Sequence, residues 1–217
     1  MKAAVIMCVY RRIPRLAVTL DMLNAQTWRH FELFIWNNSG KILSIKDGLN
    51  FRVTVIDSAV NVGGFGRFYA ARTIYEDFDK MVFIDDDQIF DGQMLQTLVG
   101  ESRPQSVCAW WSWNFREKYF ARSRCGPGES AMYCGTGGMI IDASVFADDR
   151  LFDCPSKFWF IEDLWLSYFV SHNYRWPLYA SGVDIQIIDD GKDQFRKLKA
   201  LKNDFLAYLR DTGRWRI

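Results

Sequence analysis

The stretch MVFIDDD, Met81 to Asp87, is a short apolar run that ends in three consecutive carboxylates. Followed by Gln88-Ile89-Phe90, it reads as a buried strand whose carboxyl end carries the aspartates. Three like charges there repel one another and resist burial, so something cationic is required beside them. Their oxygens suit a hard divalent ion. A solvated Asp-rich turn would share this composition. Position favours a site, because ligands of open α/β sheets bind at the carboxyl edge of the strands.

The preceding residues supply such a sheet. Ala3 to Val9 is continuously apolar, as in a strand covered on both faces, and Pro14 opens a helix whose Leu16, Leu20 and Leu23 recur at helical spacing. Phe31 to Trp36 and Phe51 to Ile56 read as further strands, ending at the turn cluster Asn37-Asn38-Ser39-Gly40 and at Asp57. This strand, helix, strand rhythm predicts a parallel sheet with right-handed crossovers.

A chain of 217 residues with 49% hydrophobic content suffices for one domain. Its net charge of +1 offers no basic field for nucleic acid or an anionic membrane. No run approaches the ~18 apolar residues of a membrane span, and the N-terminal run lacks a signal-peptide cleavage site. Five cysteines without a C-x-x-C pair, Cys8 and Cys108 among them in apolar runs, predict reduced, buried thiols and a cytosolic setting.

Glycines open NVGGFGRFYAAR, Asn61 to Arg72, which turns helical towards Ala70 and Ala71. Amides at such a helix start can hold phosphate, with Arg67 or Arg72 adding charge; a tight turn is the plainer alternative. Tyr69 stands where a dinucleotide fingerprint needs its third small residue, which argues against a nicotinamide site. A helix around Gly92 to Val99 precedes Val107 to Trp113, read as one strand carrying Trp110, Trp111 and Trp113. Neighbours on a strand face opposite ways, so one face offers a stacking platform while at least one indole joins the core.

The glycine-rich turn Cys134 to Gly138 implies close backbone approach to a ligand or another segment, ahead of a short strand at Met139 to Ile141. Glu162 and Asp163 follow an aromatic run and open a helix with Leu166, Phe169 and Val170 on its buried face. Acidic residues in a first turn meet the helix dipole favourably, and a carboxylate among bulky aromatics equally suits a general base. Leu178 to Ile188 is extended, Asp189-Asp190-Gly191 follows, and Phe195 to Leu209 reads as a packing helix with Leu198, Leu201, Phe205 and Leu209 on one side.

The ordered set of CVYRR, Asn24-Ala25-Gln26-Thr27, WNNSG, the Asn61 to Arg67 segment, FIDDD, GTGG and IEDLW resembles nucleotide-sugar glycosyltransferases of the GT-A fold. The likeness runs from Val5 to about Phe169 and is strongest to the large inverting family 2, which includes bacterial and viral enzymes. It implies an α/β, Rossmann-like fold: a mostly parallel central sheet flanked by helices, with a small mixed sheet on the acceptor side. A single domain, 1–217, would divide into a nucleotide-binding half of about 1–100 and an acceptor-binding half of about 101–217.

By the same resemblance, Val9, Tyr10, Arg12, Asn37, Asn61, Gly63, Gly64, Arg67, Asp85, Asp86, Gly137 and Gly138 bind a nucleoside-diphosphate sugar, with UDP favoured. Asp87, Asp85 and Asp190 hold Mn²⁺ or Mg²⁺, Asp163 is the catalytic base and Glu162 supports it. The acceptor is a hydroxyl of a glycan or glycoprotein, with neither nucleic acid nor a membrane span involved. Likeness to viral, capsid-decorating members adds a host-cytoplasm setting and further domains after residue 217.

Two positions depart from the family pattern. Asn37 stands where an acidic residue usually reads the base, and an amide offers a donor as well as an acceptor. Near the C-terminus, where relatives place a histidine on the metal, this chain has Asp189 and Asp190; its histidines are His30 and His172. A sugar-phosphate nucleotidyltransferase is an alternative, although Tyr10-Arg11-Arg12 replaces its G-x-G-T-R-type loop. A noncatalytic carbohydrate-binding module, its aromatics stacking on sugars, is another.

Overall fold

The computed structural model describes residues 1–116, 118–188 and 195–212, so Asp189 and Asp190 lie outside the described residues. The chain begins with β1 (Ala3–Val9), α1 (Leu16–Asn24), β2 (Phe31–Asn37), β3 (Val53–Asp57), α2 (Gly66–Ile74), β4 (Lys80–Ile84), β5 (Gln88–Phe90) and α3 (Met94–Glu101). It continues through β6 (Val107–Ala109), β7 (Ser112–Phe115), β8 (Arg122–Arg124), β9 (Tyr133–Cys134), β10 (Met139–Asp142), α4 (Glu162–Asn173), β11 (Leu178–Ala180), β12 (Ile185–Ile187) and α5 (Lys199–Asp211).

The main sheet has seven strands in the order β11-β6-β10-β4-β1-β2-β3. β1 pairs in parallel with β2 and β4, and β2 with β3, while β10 runs antiparallel between β4 and β6. The mostly parallel, helix-flanked sheet is therefore the one expected. Register aligns the carboxyl ends of these strands: Met7 lies opposite Ile84, Val9 opposite Asn37 and Asn37 opposite Asp57. The carboxyl ends of four parallel strands thus meet where the acidic run begins.

Strand alternation divides the core into two layers. Ala4 and Ile6 of β1, with Met81 and Phe83 of β4, pack towards Phe68 and Ala71 of α2, Leu166 and Phe169 of α4 and Phe205 and Leu209 of α5. Ala3, Val5 and Met7, with Val82 and Ile84, face Leu16, Leu20 and Leu23 of α1 and Met94, Leu95 and Leu98 of α3. Burial on both faces explains why these strands are apolar throughout instead of alternating. α4 is buried around most of its circumference, which the single apolar face read from its sequence did not reveal.

The Val107 to Trp113 run is two strands instead of one. β6 lies in the main sheet, and β7 joins β8 and β9 in a separate three-stranded antiparallel sheet. The backbone changes sheets at Trp110 and Trp111, where Trp110 N–H donates to Gly138 O (2.8 Å) and Gly135 N–H donates to Trp111 O (2.7 Å). A further two-stranded pairing joins β5 to β12. All five cysteines are free thiols, and no helix among the described residues is long and apolar enough to cross a membrane.

Candidate active site

The acidic strand end is the natural starting point. Gln88 folds back so that its Oε1 accepts the Asp85 N–H (2.9 Å), which closes the turn after β4. Arg12, just after β1, donates from Nη1 to Asp86 Oδ1 (3.1 Å) and lies 3.3 Å from Asp87 Oδ2. Arg15 Nε donates to the Asp86 carbonyl (3.2 Å). Much of the cationic charge that this edge demands is therefore supplied by the protein. Burial raises the Asp86 pKa even so, against the opposing pull of Arg12.

Arg67 provides the third guanidinium. From the first turn of α2, its Nη2 donates to Asp85 Oδ1 and to the Ile84 carbonyl (3.3 Å). Its Nη1 donates to Glu162 Oε1 (2.7 Å) and Thr136 Oγ1 (3.1 Å), and the Thr136 hydroxyl donates in turn to Glu162 Oε1 (3.0 Å). Arg67 and Glu162 are each 5% exposed. Burial pushes the Glu162 carboxyl up to about 7, with Arg67 pulling it down and Asp163 adding to the rise.

Two glycines make room for this cluster. A Cβ at Gly64 would overlap the Glu162 carboxylate, and one at Gly137 would overlap the Asp85 carboxylate and the Gln88 amide. Both glycine-rich segments are thus accounted for by the close approach of other segments of the chain.

Asp163, next to Glu162 at the start of α4, is half-buried. Tyr133 donates its hydroxyl to Asp163 Oδ2, and the Leu164 N–H donates to Oδ1 (2.8 Å), so both oxygens are oriented. Burial first, and Asp163 second, hold the Tyr133 pKa well above its ordinary value, which keeps that hydroxyl a donor.

Two cavities flank the buried cluster. One, of about 320 Å³, is lined by Asp85, Asp87, Gln88, Trp110, Trp111, Arg122, Tyr133, Thr136, Gly137 and Asp163, among others. The second, of about 360 Å³, is lined by Cys8, Tyr10, Asn38, Asn61, Gly63, Gly64, Arg67, Asp86, Phe160 and Glu162, among others. The expected catalytic carboxylates are thereby divided: Asp163 faces the first cavity and Glu162 the second. Trp110 and Trp111 line a wall beside Asp163, with the Arg124 guanidinium stacked 4.6 Å from the Trp110 ring centroid. Trp113 packs against the core under Arg122, whose guanidinium lies 4.1 Å from its ring centroid.

Several residues expected to meet the donor do not line either cavity. Val9 is buried and lines neither cavity, and Gly138 is held by its N–H to the Phe83 carbonyl (2.8 Å). Arg12 holds the acidic turn instead of lining a cavity. Asn37 is buried with its amide committed: Nδ2 donates to Lys41 O and Asp57 Oδ1 (both 2.7 Å), and Oδ1 accepts from Ser39 N–H (3.0 Å) and Oγ (2.6 Å). It shapes the turn, and its neighbour Asn38 reaches the cavity while donating to Gly63 O (2.9 Å).

Arg72, the other candidate phosphate ligand, instead donates to the Phe146 carbonyl (2.9 Å) and pairs with Asp149. Tyr133, Thr136 and Gln88 were not anticipated, since each acts on a residue brought near by folding. The GTGG turn was the one available pointer to Thr136.

Among the described residues no group of three or more His, Cys, Asp or Glu side chains gathers to hold a metal. Asp85 and Asp87 do line one cavity with carboxylate oxygens, a donor set that suits Mn²⁺ or Mg²⁺ once phosphate oxygens complete it.

Comparison with solved structures gives the same arrangement of sheet and helices. S. aureus TarS 1–349 in complex with UDP superposes with a TM-score of 0.57 at 17% identity, over 83% of this chain and 57% of that one. Mannosyltransferase PcManGT from Pyrobaculum calidifontis in complex with GDP-Man and Mn²⁺ gives 0.60 at 13%, over 95% and 64%. GalNAc-T7 with UDP, GalNAc and Mn²⁺ gives 0.64 at 12%, over 83% and 42%. These likenesses establish the GT-A-type fold, and the chain spans less than two thirds of each of these structures. A search of curated proteins finds no match. Residues 4–124, more than half of the sequence, match the family model described as Glycosyl transferase family 2, and the chain belongs to that family.

Proposed function

We propose that this chain is a metal-assisted, inverting glycosyltransferase. It moves a hexose or deoxyhexose from a nucleoside-diphosphate sugar, with UDP favoured, to a hydroxyl of a glycan or glycoprotein. The observation that carries this reading is that Asp85, Asp87 and Asp163 line one cavity, so a diphosphate-binding edge and a candidate base share a reaction space. The adjoining cavity, with Tyr10, Asn38 and Asn61 on its wall, is the candidate nucleotide site. UDP, UDP-GlcNAc or GDP-Man in the similar structures, with Mn²⁺ in two of them, supports the choice of donor and ion.

Asp85 and Asp87 would hold the ion, which when bound supplies Lewis-acid stabilisation of the departing nucleoside diphosphate. Asp163 takes the proton of the acceptor hydroxyl as that oxygen attacks the anomeric carbon, a general-base contribution of about 10²–10⁴-fold. The Tyr133 hydroxyl and Leu164 N–H fix the orientation of that carboxylate. Trp110 and Trp111 offer apolar ring surface to a sugar beside it. A single displacement from the face opposite the leaving group inverts the anomeric centre.

The division into a donor half and an acceptor half belongs to the same proposal, although Phe160 and Glu162 of the second half line the donor cavity. So do the viral, capsid-decorating role and the host-cytoplasm setting. The test is release of nucleoside diphosphate from UDP-, dTDP- and GDP-sugars with Mn²⁺ present. Wild-type protein releases it from at least one donor, and Asp163→Asn slows release by about 10²-fold or more while retaining donor affinity. Equal rates would remove Asp163 as the base. No release across the panel would favour a carbohydrate-binding module.

A further inference from the structure

Arg67 was expected to meet the donor phosphates, but its surroundings assign it different work. Its two terminal nitrogens point at four protein acceptors: Asp85 Oδ1, the Ile84 carbonyl, Glu162 Oε1 and Thr136 Oγ1. Its Nε is buried without a hydrogen-bond partner. These four acceptors match the four N–H groups of the two terminal nitrogens, so none of those donors is left over for a phosphate.

The four acceptors belong to segments far apart in the chain. Asp85 and Ile84 end β4, Thr136 sits in the turn before β10, and Glu162 opens α4. The first group carries the diphosphate-binding edge, and the last is bonded directly to the candidate base Asp163. The Arg67 side chain hydrogen-bonds to both. Lysine cannot substitute here, because a single ammonium centre lacks the planar fork that lets the two nitrogens hold separate carboxylates.

We infer that Arg67 is a positioning residue that sets the separation between the donor-binding edge at Asp85 and the acceptor-activating pair Glu162–Asp163. The inference rests on the transferase reading. It implies that loosening the grip of Arg67 impairs the chemical step while leaving donor capture intact.

The experiment measures kcat and KM for Mn²⁺-dependent nucleoside-diphosphate release from the best donor of the UDP-, dTDP- and GDP-sugar panel, together with thermal melting, for wild type, Arg67→Lys and Thr136→Val. Arg67→Lys lowers kcat by about 10²-fold, as expected for misplacement of reacting groups by about 1 Å, with donor KM unchanged. Thr136→Val, which removes the hydroxyl shared by Arg67 and Glu162 without altering charge, lowers kcat by about tenfold, also at unchanged KM.

A rise in KM of about tenfold or more with kcat retained in Arg67→Lys would make Arg67 a donor ligand and overturn the inference. If Arg67→Lys does not fold, Thr136→Val decides alone, and an unchanged kcat in that folded variant overturns the inference. A wild-type chain inert towards every donor overturns both this inference and the transferase reading, whereas an active wild type with the wrong kcat and KM pattern overturns this inference alone.

Discussion

Replacing Glu162 by glutamine isolates the cost of burying a carboxylate at the centre of the site. The side chain is 5% exposed, and burial lifts its pKa from 4.5 to about 7 despite the Arg67 guanidinium 2.7 Å away. Below pH 4.5 the group is protonated in both folded and unfolded chains and contributes no pH dependence. As pH rises towards 7 the unfolded chain releases its proton first, so the folded state binds more protons and stability falls with pH. Above 7 both forms are ionised and the loss is complete. The interval corresponds to on the order of 3 kcal/mol at about 1.4 kcal/mol per pH unit.

Glutamine keeps the shape of the protonated acid and never ionises. The variant therefore matches wild type in urea denaturation near pH 4.5 and exceeds its stability by on the order of 3 kcal/mol at pH 8. The gain accompanies slower turnover, since a charge kept at an active site against its burial cost trades stability for function. Parallel stability profiles for the two proteins, or a variant less stable at pH 8, would show that the Arg67 pair outweighs burial and would refute the reasoning.

Two further substitutions probe the same cluster from outside. Gly64→Ala places a methyl group on the Glu162 carboxylate and costs about 1–3 kcal/mol through overpacking, measurable by urea denaturation; wild-type stability would mean that the glycine is not needed for this approach. Asp87→Asn keeps the side chain's shape but weakens any ion held there, so calorimetry should show loss of the Mn²⁺-dependent part of UDP affinity. Unchanged affinity would remove Asp87 from the metal site.

Much of the sheet was legible because its physics is local. Ala3–Val9 is apolar at every position since helices cover both faces of β1, and Leu16, Leu20 and Leu23 lie on the turns of α1 that meet it. The aspartates after Ile84 marked the end of β4 because charge stops a buried strand. The partners of that charge were not legible. Arg12 meets Asp86 across 74 positions and Arg67 meets Glu162 across 95, and no local pattern encodes such pairings.

Asn37 shows the same limit on a smaller scale. The sequence placed it in the turn after Trp36, whereas it ends β2, and its commitment to Asp57 follows from β2 and β3 lying side by side. The split between β6 and β7 was hidden because the aromatic run continues without a break where the backbone leaves one sheet for another. Asp163 was a candidate by residue type and position, whereas Tyr133, which orients it, came from a different strand.

The most direct test of the account is a crystal structure of the chain with a bound nucleoside-diphosphate sugar and Mn²⁺. The account predicts the ion and diphosphate at Asp85 and Asp87, the base of the nucleotide beside Tyr10 and Asn38, and the anomeric carbon in the cavity shared with Asp163. Diphosphate bound away from the carboxyl end of β4, or an anomeric carbon outside the Asp163 cavity, would contradict it.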